Sequence, residues 1–144
     1  MATGIIHLIK LSVGTQSVES LEVWQAARRA ERGEDVNRHV TRMWPRRGDE
    51  VLNGGSIYWV IQGVVQCRQK IVSLDEVTGQ DGIRRCAIVL EPELVRTSPA
   101  PKRPFQGWRY LAPADAPADL PGRRGGEDSL PPELSAALSD IGVL

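Results

Sequence analysis

The chain contains few of the residues that build metal, cofactor or disulfide sites. Its 144 residues include two cysteines, Cys67 and Cys86, and two histidines, His7 and His39. Neither cysteine has a partner at the spacing of a metal site, so we expect both to be thiols in the core. A metal site would require the two histidines to converge with carboxylates or thiols from distant segments. We therefore expect no metal and no cofactor, with His7 satisfied in the core and His39 at the surface.

Long hydrophobic runs are also missing. The apolar stretch near the N-terminus, residues 5–9, is interrupted by His7 and followed by Lys10. It is too short for the hydrophobic part of a signal peptide or for a membrane-spanning helix. Charged residues make up 25% of the chain and hydrophobic residues 41%, which is typical of proteins that fold in water. The sequence therefore predicts a cytoplasmic protein with no membrane contact.

The sequence has none of the short motifs that identify common enzyme classes. It contains no Gly-x-Ser-x-Gly elbow, no Walker loop, no Gly-x-Gly-x-x-Gly and no His-Glu-x-x-His. Acid pairs occur at residues 49–50 and 75–76, but adjacent side chains usually point apart on regular structure, which favours solvation. The glycine pair at 54–55 resembles a phosphate-binding nest, although the end of a helix explains it better. A binding protein is therefore favoured over an enzyme.

Regular spacing predicts one clear helix between Ser17 and Gly33. Apolar side chains recur along it every three residues: Val18, Leu21, Trp24, Ala27 and Ala30. Ser17 is a good N-cap, and Gly33 readily adopts the left-handed conformation that ends a helix. The arginines at 28, 29 and 32 lie at its C-terminal end, where they complement the helix dipole, so we assign them to local stability.

Alternating apolar residues predict strands around this helix. The predicted strands cover residues 5–13, 39–44, 57–61, 64–74, 83–90 and 105–111. Gln62-Gly63 offers a tight turn that joins two of them as a hairpin, and a helical turn is predicted at 49–53. Prolines at 99, 101 and 104 impose an extended path before the last strand. The pattern predicts an α+β domain over residues 1–111, a Pro/Gly-rich linker over 112–128 and a short amphipathic helix over 129–144.

Arginines and aromatic rings converge in two windows that contain no acids. Arginine outnumbers lysine 15 to 3 in the chain. The windows hold Arg38, Arg42, Arg46 and Arg47 with Trp44, and Arg96, Arg103 and Arg109 with Phe105, Trp108 and Tyr110. Single-stranded nucleic acids bind to such surfaces, because arginines neutralise phosphates and rings stack on bases. The alternative is that the rings fill the core while the arginines solvate the sheet edges.

Two long strings in the sequence resemble the uncharacterised bacterial domain-of-unknown-function family 1489. They are GGSIYWVI at residues 54–61, with RQ at 68–69, and RPFQGWRYL at 103–111; shorter matches are HLIKL at 7–11 and TRM at 41–43. The resemblance spans roughly residues 5–120 and implies no activity. A looser resemblance, in the order of strand, helix, hairpin, strand and basic tract, is to PUA and ASCH-like domains, which bind RNA or modified bases. It implies a small mixed, partly closed β-barrel, although the charge pattern typical of ASCH domains is missing.

These observations lead to three hypotheses about function. The first is a PUA-like domain that binds RNA or a modified nucleotide. Its site residues are Arg42, Arg46, Arg103 and Arg109 on phosphates, with Trp44, Tyr58 or Trp108 stacking on bases. The second is a small enzyme acting on an anionic metabolite, in which Asp49, Glu50 or Cys67 supplies the chemistry. The third is an interaction module whose C-terminal amphipathic segment docks on a protein partner.

Overall fold

The structure is a computed structural model that describes residues 4–120. Seven strands, two helices and one 3-10 turn form this part of the chain. In chain order they are β1 (His7–Leu11), α1 (Val18–Arg32), β2 (Asn37–Thr41), α2 (Gly48–Val51), β3 (Ser56–Ile61), β4 (Val64–Thr78), β5 (Arg84–Leu90), β6 (Val95–Pro101), β7 (Trp108–Leu111) and the turn Pro113–Asp115. The predicted α+β class is confirmed. Within the described residues, no helix is long and apolar enough to span a membrane.

Helix α1 begins and ends where the sequence predicts. The backbone N–H of Ser20 donates to Oγ of Ser17 at 3.0 Å, and the backbone N–H of Ser17 donates to Oγ of Ser20 at 3.0 Å. Gly33 ends the helix with φ 63. The buried side chains are those of Val18, Leu21 and Gln25, so the predicted three-residue repeat is wrong beyond Leu21. Since a helix turns once in 3.6 residues, position 25 returns to the buried face and position 24 faces outward.

The strands form one sheet in the order β2-β5-β4-β3-β1-β7, with β6 paired to β4 beside that path. β1 and β3 are parallel, and the other pairs are antiparallel. The long strand β4 pairs with β3 and β6 through its first half and with β5 through its second half. Its register shifts between Ile71 and Ser73, where the pairing with β5 begins. Such an irregularity bends a strand and increases the twist of its sheet.

The sheet curls without closing into a barrel in the described part of the chain. Its path ends at β2 on one side and at β7 on the other. The segment that follows β2 nevertheless contacts β7 through side chains. Nε1 of Trp108 donates to the backbone carbonyl of Met43 at 2.8 Å, and the backbone N–H of Arg47 donates to the hydroxyl of Tyr110 at 3.1 Å. The two edges are therefore joined by side-chain hydrogen bonds.

Two hydrophobic clusters cover the faces of the sheet. The larger contains Ile6, Leu8, Val18, Leu21, Val51, Ile57, Trp59, Ile61, Cys67, Ile71, Cys86, Ile88, Leu90 and Trp108. The smaller contains Ile9, Tyr58, Val60, Val65 and Leu111. Alternate residues of β1 and β3 belong to different clusters, as the period of a strand requires. Both cysteines are buried thiols, as predicted.

Strand β6 and the segment after β7 pack together. Pro99 and Pro101 lie in β6, which pairs with β4 at a margin of the sheet where proline is tolerated. The backbone N–H of Ser98 donates to the carbonyl of Ala118 at 2.8 Å, and that of Leu120 donates to the carbonyl of Arg96 at 2.9 Å. Residues 118–120 of the predicted linker therefore run beside β6. Residues 121–128 of that linker and the predicted helix over 129–144 lie outside the described residues.

Candidate functional site

Most arginines of the described chain are paired with acids. Arg28, Arg38, Arg47, Arg68, Arg84, Arg85 and Arg96 each form an ion pair with a carboxylate. These pairs satisfy the guanidinium groups within the protein and leave little net positive potential around them. Nη1 of Arg29 donates instead to Oδ1 of Asn37 at 2.7 Å.

The four arginines that the sequence selects belong to the unpaired remainder. Arg42, Arg46 and Arg103 are exposed, and they form no hydrogen bond or ion pair through their side chains within residues 4–120. Arg109 is exposed as well, with its guanidinium carbon 4.8 Å from the ring centre of Phe105. Because no neighbouring carboxylate competes for them, these guanidinium groups are available to an anion from solution.

The two segments that hold these arginines meet in space. We call the pair of segments, residues 42–47 and 103–110, the arginine junction. Besides the hydrogen bonds from Trp108 and to Tyr110, the guanidinium carbon of Arg47 lies 5.4 Å from the ring centre of Tyr110. Arg42 and Arg46 each precede a residue that is hydrogen-bonded to β7, namely Met43 and Arg47. Arg109 lies between the two β7 residues that form these bonds. The two acid-free windows therefore meet at β7. Trp108 and Tyr110 pack with the larger cluster and Phe105 beneath Arg109 packs with the smaller one, so Arg109 lies on the other face of the strand from these contacts.

The three aromatic residues predicted to stack on bases occupy different environments. Trp108 is 4% exposed within the larger cluster, and Tyr58 is 4% exposed within the smaller one on the other face of the sheet. Trp44 is partly buried, and the guanidinium carbon of Arg84 lies 4.7 Å from its ring centre. The structure thus joins the segments that hold the four arginines at Trp108 and Tyr110, while it places Tyr58 and Trp108 in the core.

A cleft of about 530 Å³ opens between α1, β2 and the end of β1. Its lining includes Lys10, Trp24, Arg28, Arg32, His39 and Trp59. Within the described residues, no carboxylate lines the cleft. Trp24 is 59% exposed at this cleft, although its position in the apolar repeat predicts a core residue. No motif or spacing in the sequence predicts this cleft.

A buried network of amides holds α1 across the strands beside the cleft. The side chains of Gln25 and Gln69 exchange two hydrogen bonds of 3.0 and 2.8 Å. Gln69 also accepts from Nε1 of Trp59 at 3.1 Å and donates to the carbonyl of Glu91 at 2.7 Å. Nδ2 of Asn37 donates to the carbonyl of Gln25 at 3.0 Å. Because each amide has a partner, the network fixes the position of the helix at little energetic cost.

Unlike these amides, His39 has a ring nitrogen without a hydrogen-bond partner among the described residues. Its Nε2 is buried and has no hydrogen-bond partner within the described residues, so the prediction of a surface histidine is wrong. Its ring packs edge-on against Trp59 with 5.6 Å between the ring centres. Burial, together with the nearby Lys10 ammonium, lowers the pKa of His39 to about 4. The imidazole is therefore neutral at pH 7.

Lys10 lies on β1 opposite Trp59 of β3 and Trp108 of β7. Burial lowers the pKa of its ammonium group, because charge is less stable away from water. His7, on the same strand, accepts a 3.0 Å hydrogen bond at Nδ1 from the backbone N–H of Ser56, as expected for a satisfied histidine. The strand thus carries a satisfied histidine and a partly desolvated cation.

The three groups considered for catalysis do not line this cleft. Burial raises the pKa of the Cys67 thiol to about 12, so the thiol is protonated at pH 7. Glu50 accepts two hydrogen bonds from Arg47, of 2.8 and 2.7 Å. Asp49 precedes Glu50 on helix α2, and its side chain is exposed. Over residues 4–120, no cluster of three or more His, Cys, Asp or Glu side chains has an arrangement that would hold a metal ion.

Comparison with known proteins identifies the family. Searches of curated proteins and of solved structures give no significant match. A family model described as a protein of unknown function, DUF1489, matches residues 8–144. This match covers nearly the whole chain and agrees with the resemblance carried by residues 54–61 and 103–111. The chain therefore belongs to the DUF1489 family of proteins of unknown function.

Proposed function

We propose that the protein binds single-stranded RNA through the arginine junction. The observation that supports this proposal is that Arg42, Arg46, Arg103 and Arg109 have no carboxylate partner in the described chain, whereas seven other arginines each have one. A guanidinium group that already forms an ion pair has fewer free N–H donors and less uncompensated charge to offer a phosphate than an unpaired one.

The shape of the region favours an extended ligand over a compact one. Segments 42–47 and 103–110 come from opposite ends of the sheet path and meet at β7. Phosphates repeat along a single strand, so several arginines spread over such a region can bind successive phosphates. Arg109 stacked on Phe105 at 4.8 Å keeps its charge at the surface and adds a ring to the contact area.

The curled sheet is compatible with the PUA-like arrangement that the sequence suggests, and we include it in the proposal. In this arrangement the side-chain bonds between the segment after β2 and β7 take the place of backbone pairing. Since Trp108 and Tyr58 are buried, the proposed recognition depends on phosphates and on Trp44 rather than on three stacked bases. Such binding depends strongly on salt and weakly on sequence.

Fluorescence anisotropy with a labelled random pool of short single-stranded RNA tests this proposal. We expect Arg42→Ala and Arg103→Ala each to weaken binding about threefold at low salt, and the two combined to weaken it about tenfold. Each lost phosphate contact also reduces the slope of log K against log salt by about 0.7. Arg85→Ala is the matched control, because it removes the same charge from an arginine that is ion-paired with Asp81 at 2.8 Å.

Two results would refute the proposal. The first is the absence of binding by the unmodified protein at low salt. The second is an equal loss of affinity in the Arg85→Ala control, because a nonspecific charge effect would produce it and a site at the arginine junction would not.

A further inference from the structure

The cleft beside α1 has the charge of an anion site. The charged side chains of its lining are Lys10, Arg28, Arg32 and Arg38. Arg38 is paired with Glu34 and Asp75, and Arg28 lies 3.6 Å from Glu31. Lys10 and Arg32 have no acid partner within the described chain. Two unpaired cations therefore border a cavity that contains no competing carboxylate, which concentrates positive potential there.

The same cleft contains a polar group that is left without a partner. Nearly all buried nitrogen and oxygen atoms in proteins form a hydrogen bond with protein, water or ligand. Nε2 of His39 forms none with the protein over residues 4–120, while the neighbouring Gln25, Gln69 and Trp59 are all satisfied. His39 lines the cleft although this nitrogen is covered, so a ligand that displaces the ring slightly on entering can supply the missing partner.

Apolar rings complete the lining. Trp24 is 59% exposed on α1, and the guanidinium carbon of Arg28 lies 5.5 Å from its ring centre. Trp59 lies at the other side of the lining with its Nε1 held by Gln69. The cleft is within the size range of sites that enclose small organic molecules, and a ring with a free face favours a planar ligand.

We propose that this cleft binds a small organic phosphate with a planar ring, of the size of a nucleoside monophosphate. Lys10 and Arg32 bind the phosphate, Trp24 contacts the ring, and the imidazole of His39 lies against the ligand at the inner end. None of the four arginines assigned to RNA lines the cleft. The proposal therefore stands independently of the arginine junction.

Isothermal titration of the full chain with each of the four common ribonucleoside monophosphates tests the site. We expect at least one of them to bind at least tenfold more tightly than inorganic phosphate, and the corresponding uncharged nucleoside to show no measurable binding. Arg32→Ala lies on an exposed position of the last helical turn and leaves the core intact, so it is the primary variant. It is expected to weaken binding at least fivefold, and Lys10→Met to weaken it further.

Two further measurements locate the ligand and separate the two sites. Ligand binding is expected to shift the imidazole nitrogen resonances of His39 while those of His7, which is already hydrogen-bonded to Ser56, stay in place. Arg42→Ala should leave nucleotide affinity unchanged, and Arg32→Ala should leave RNA affinity unchanged. The proposal is overturned if none of the four nucleotides binds, if phosphate or the nucleoside binds equally well, or if the His39 resonances do not move.

Discussion

Replacement of Gln69 by leucine is expected to destabilise the protein far more than its similar volume suggests. The Gln69 side chain is fully buried, and its amide forms four hydrogen bonds. Leucine leaves Nε1 of Trp59 and the carbonyl of Glu91 without these partners in a dry environment. At about 1–3 kcal/mol for each group, the free energy of unfolding should fall by about 4 kcal/mol. This is a large part of the roughly 5–15 kcal/mol that stabilises a typical domain.

A double-mutant cycle with Gln25 makes the reasoning specific. Gln25→Leu and Gln69→Leu each leave half of the reciprocal amide pair unsatisfied, whereas the double variant removes both halves. The double variant should therefore lose less stability than the sum of the two single variants. Urea unfolding followed by tryptophan fluorescence measures all three changes.

Gln66→Leu is the matched control on the same strand. Its amide donates a single 2.9 Å hydrogen bond to the carbonyl of Ile61 from a partly buried position. We expect this variant to cost about 1 kcal/mol. A loss at Gln69 no larger than the loss at Gln66, or strict additivity of the Gln25 and Gln69 changes, would show that the network does not hold the helix in place.

Two further predictions concern protonation and thiol chemistry. Because the pKa of His39 is about 4 in the folded state and 6.5 ordinarily, the unfolded state binds the proton first. Stability is therefore retained above about pH 6.5 and falls as the pH is lowered toward 4, by up to about 1.4 kcal/mol per unit. His39→Phe should lack this component in urea titrations, and equal slopes in both proteins would contradict it. Burial raises the pKa of Cys67 to about 12 and of Cys86 to about 11, so iodoacetamide at pH 8 should modify neither thiol until urea unfolds the chain. Rapid modification of the native protein, followed by mass spectrometry, would disprove this assignment.

The parts of the fold that the sequence predicts well depend on local interactions. The bounds of α1 follow from the caps Ser17 and Gly33, which act within one turn of the helix. The hairpin of β3 and β4 follows from Gln62 and Gly63, whose φ values of 54 and 78 fit a two-residue turn. Strand β6 was predicted only as an extended path, because its pairing with β4 depends on contacts that proline composition does not reveal.

The candidate sites also depend on contacts between segments that are distant in the sequence. The sequence does not predict that the two arginine windows meet, because the bonds from Trp108 to Met43 and from Arg47 to Tyr110 join residues 65 and 63 positions apart. Local absence of acids does not keep every arginine of these windows unpaired, since Arg38, Arg47 and Arg96 bind carboxylates. The cleft was missed because its lining comes from α1 and from strands β1, β2 and β3. Trp24 is the residue whose sequence position could have indicated the cleft. In a helix with 3.6 residues per turn it lies outside the buried face.

The position of β1 in the sheet has a consequence for synthesis. Because β1 lies between β3 and β7, its second edge stays unpaired until the ribosome has released residues 108–111. During that interval the nascent chain displays an apolar strand with open backbone groups, a feature that promotes pairing with other chains. Lys10 and the neighbouring His7 interrupt the hydrophobic surface of this strand. We therefore expect Lys10, which we assign to phosphate binding in the mature protein, also to reduce aggregation of the incomplete chain.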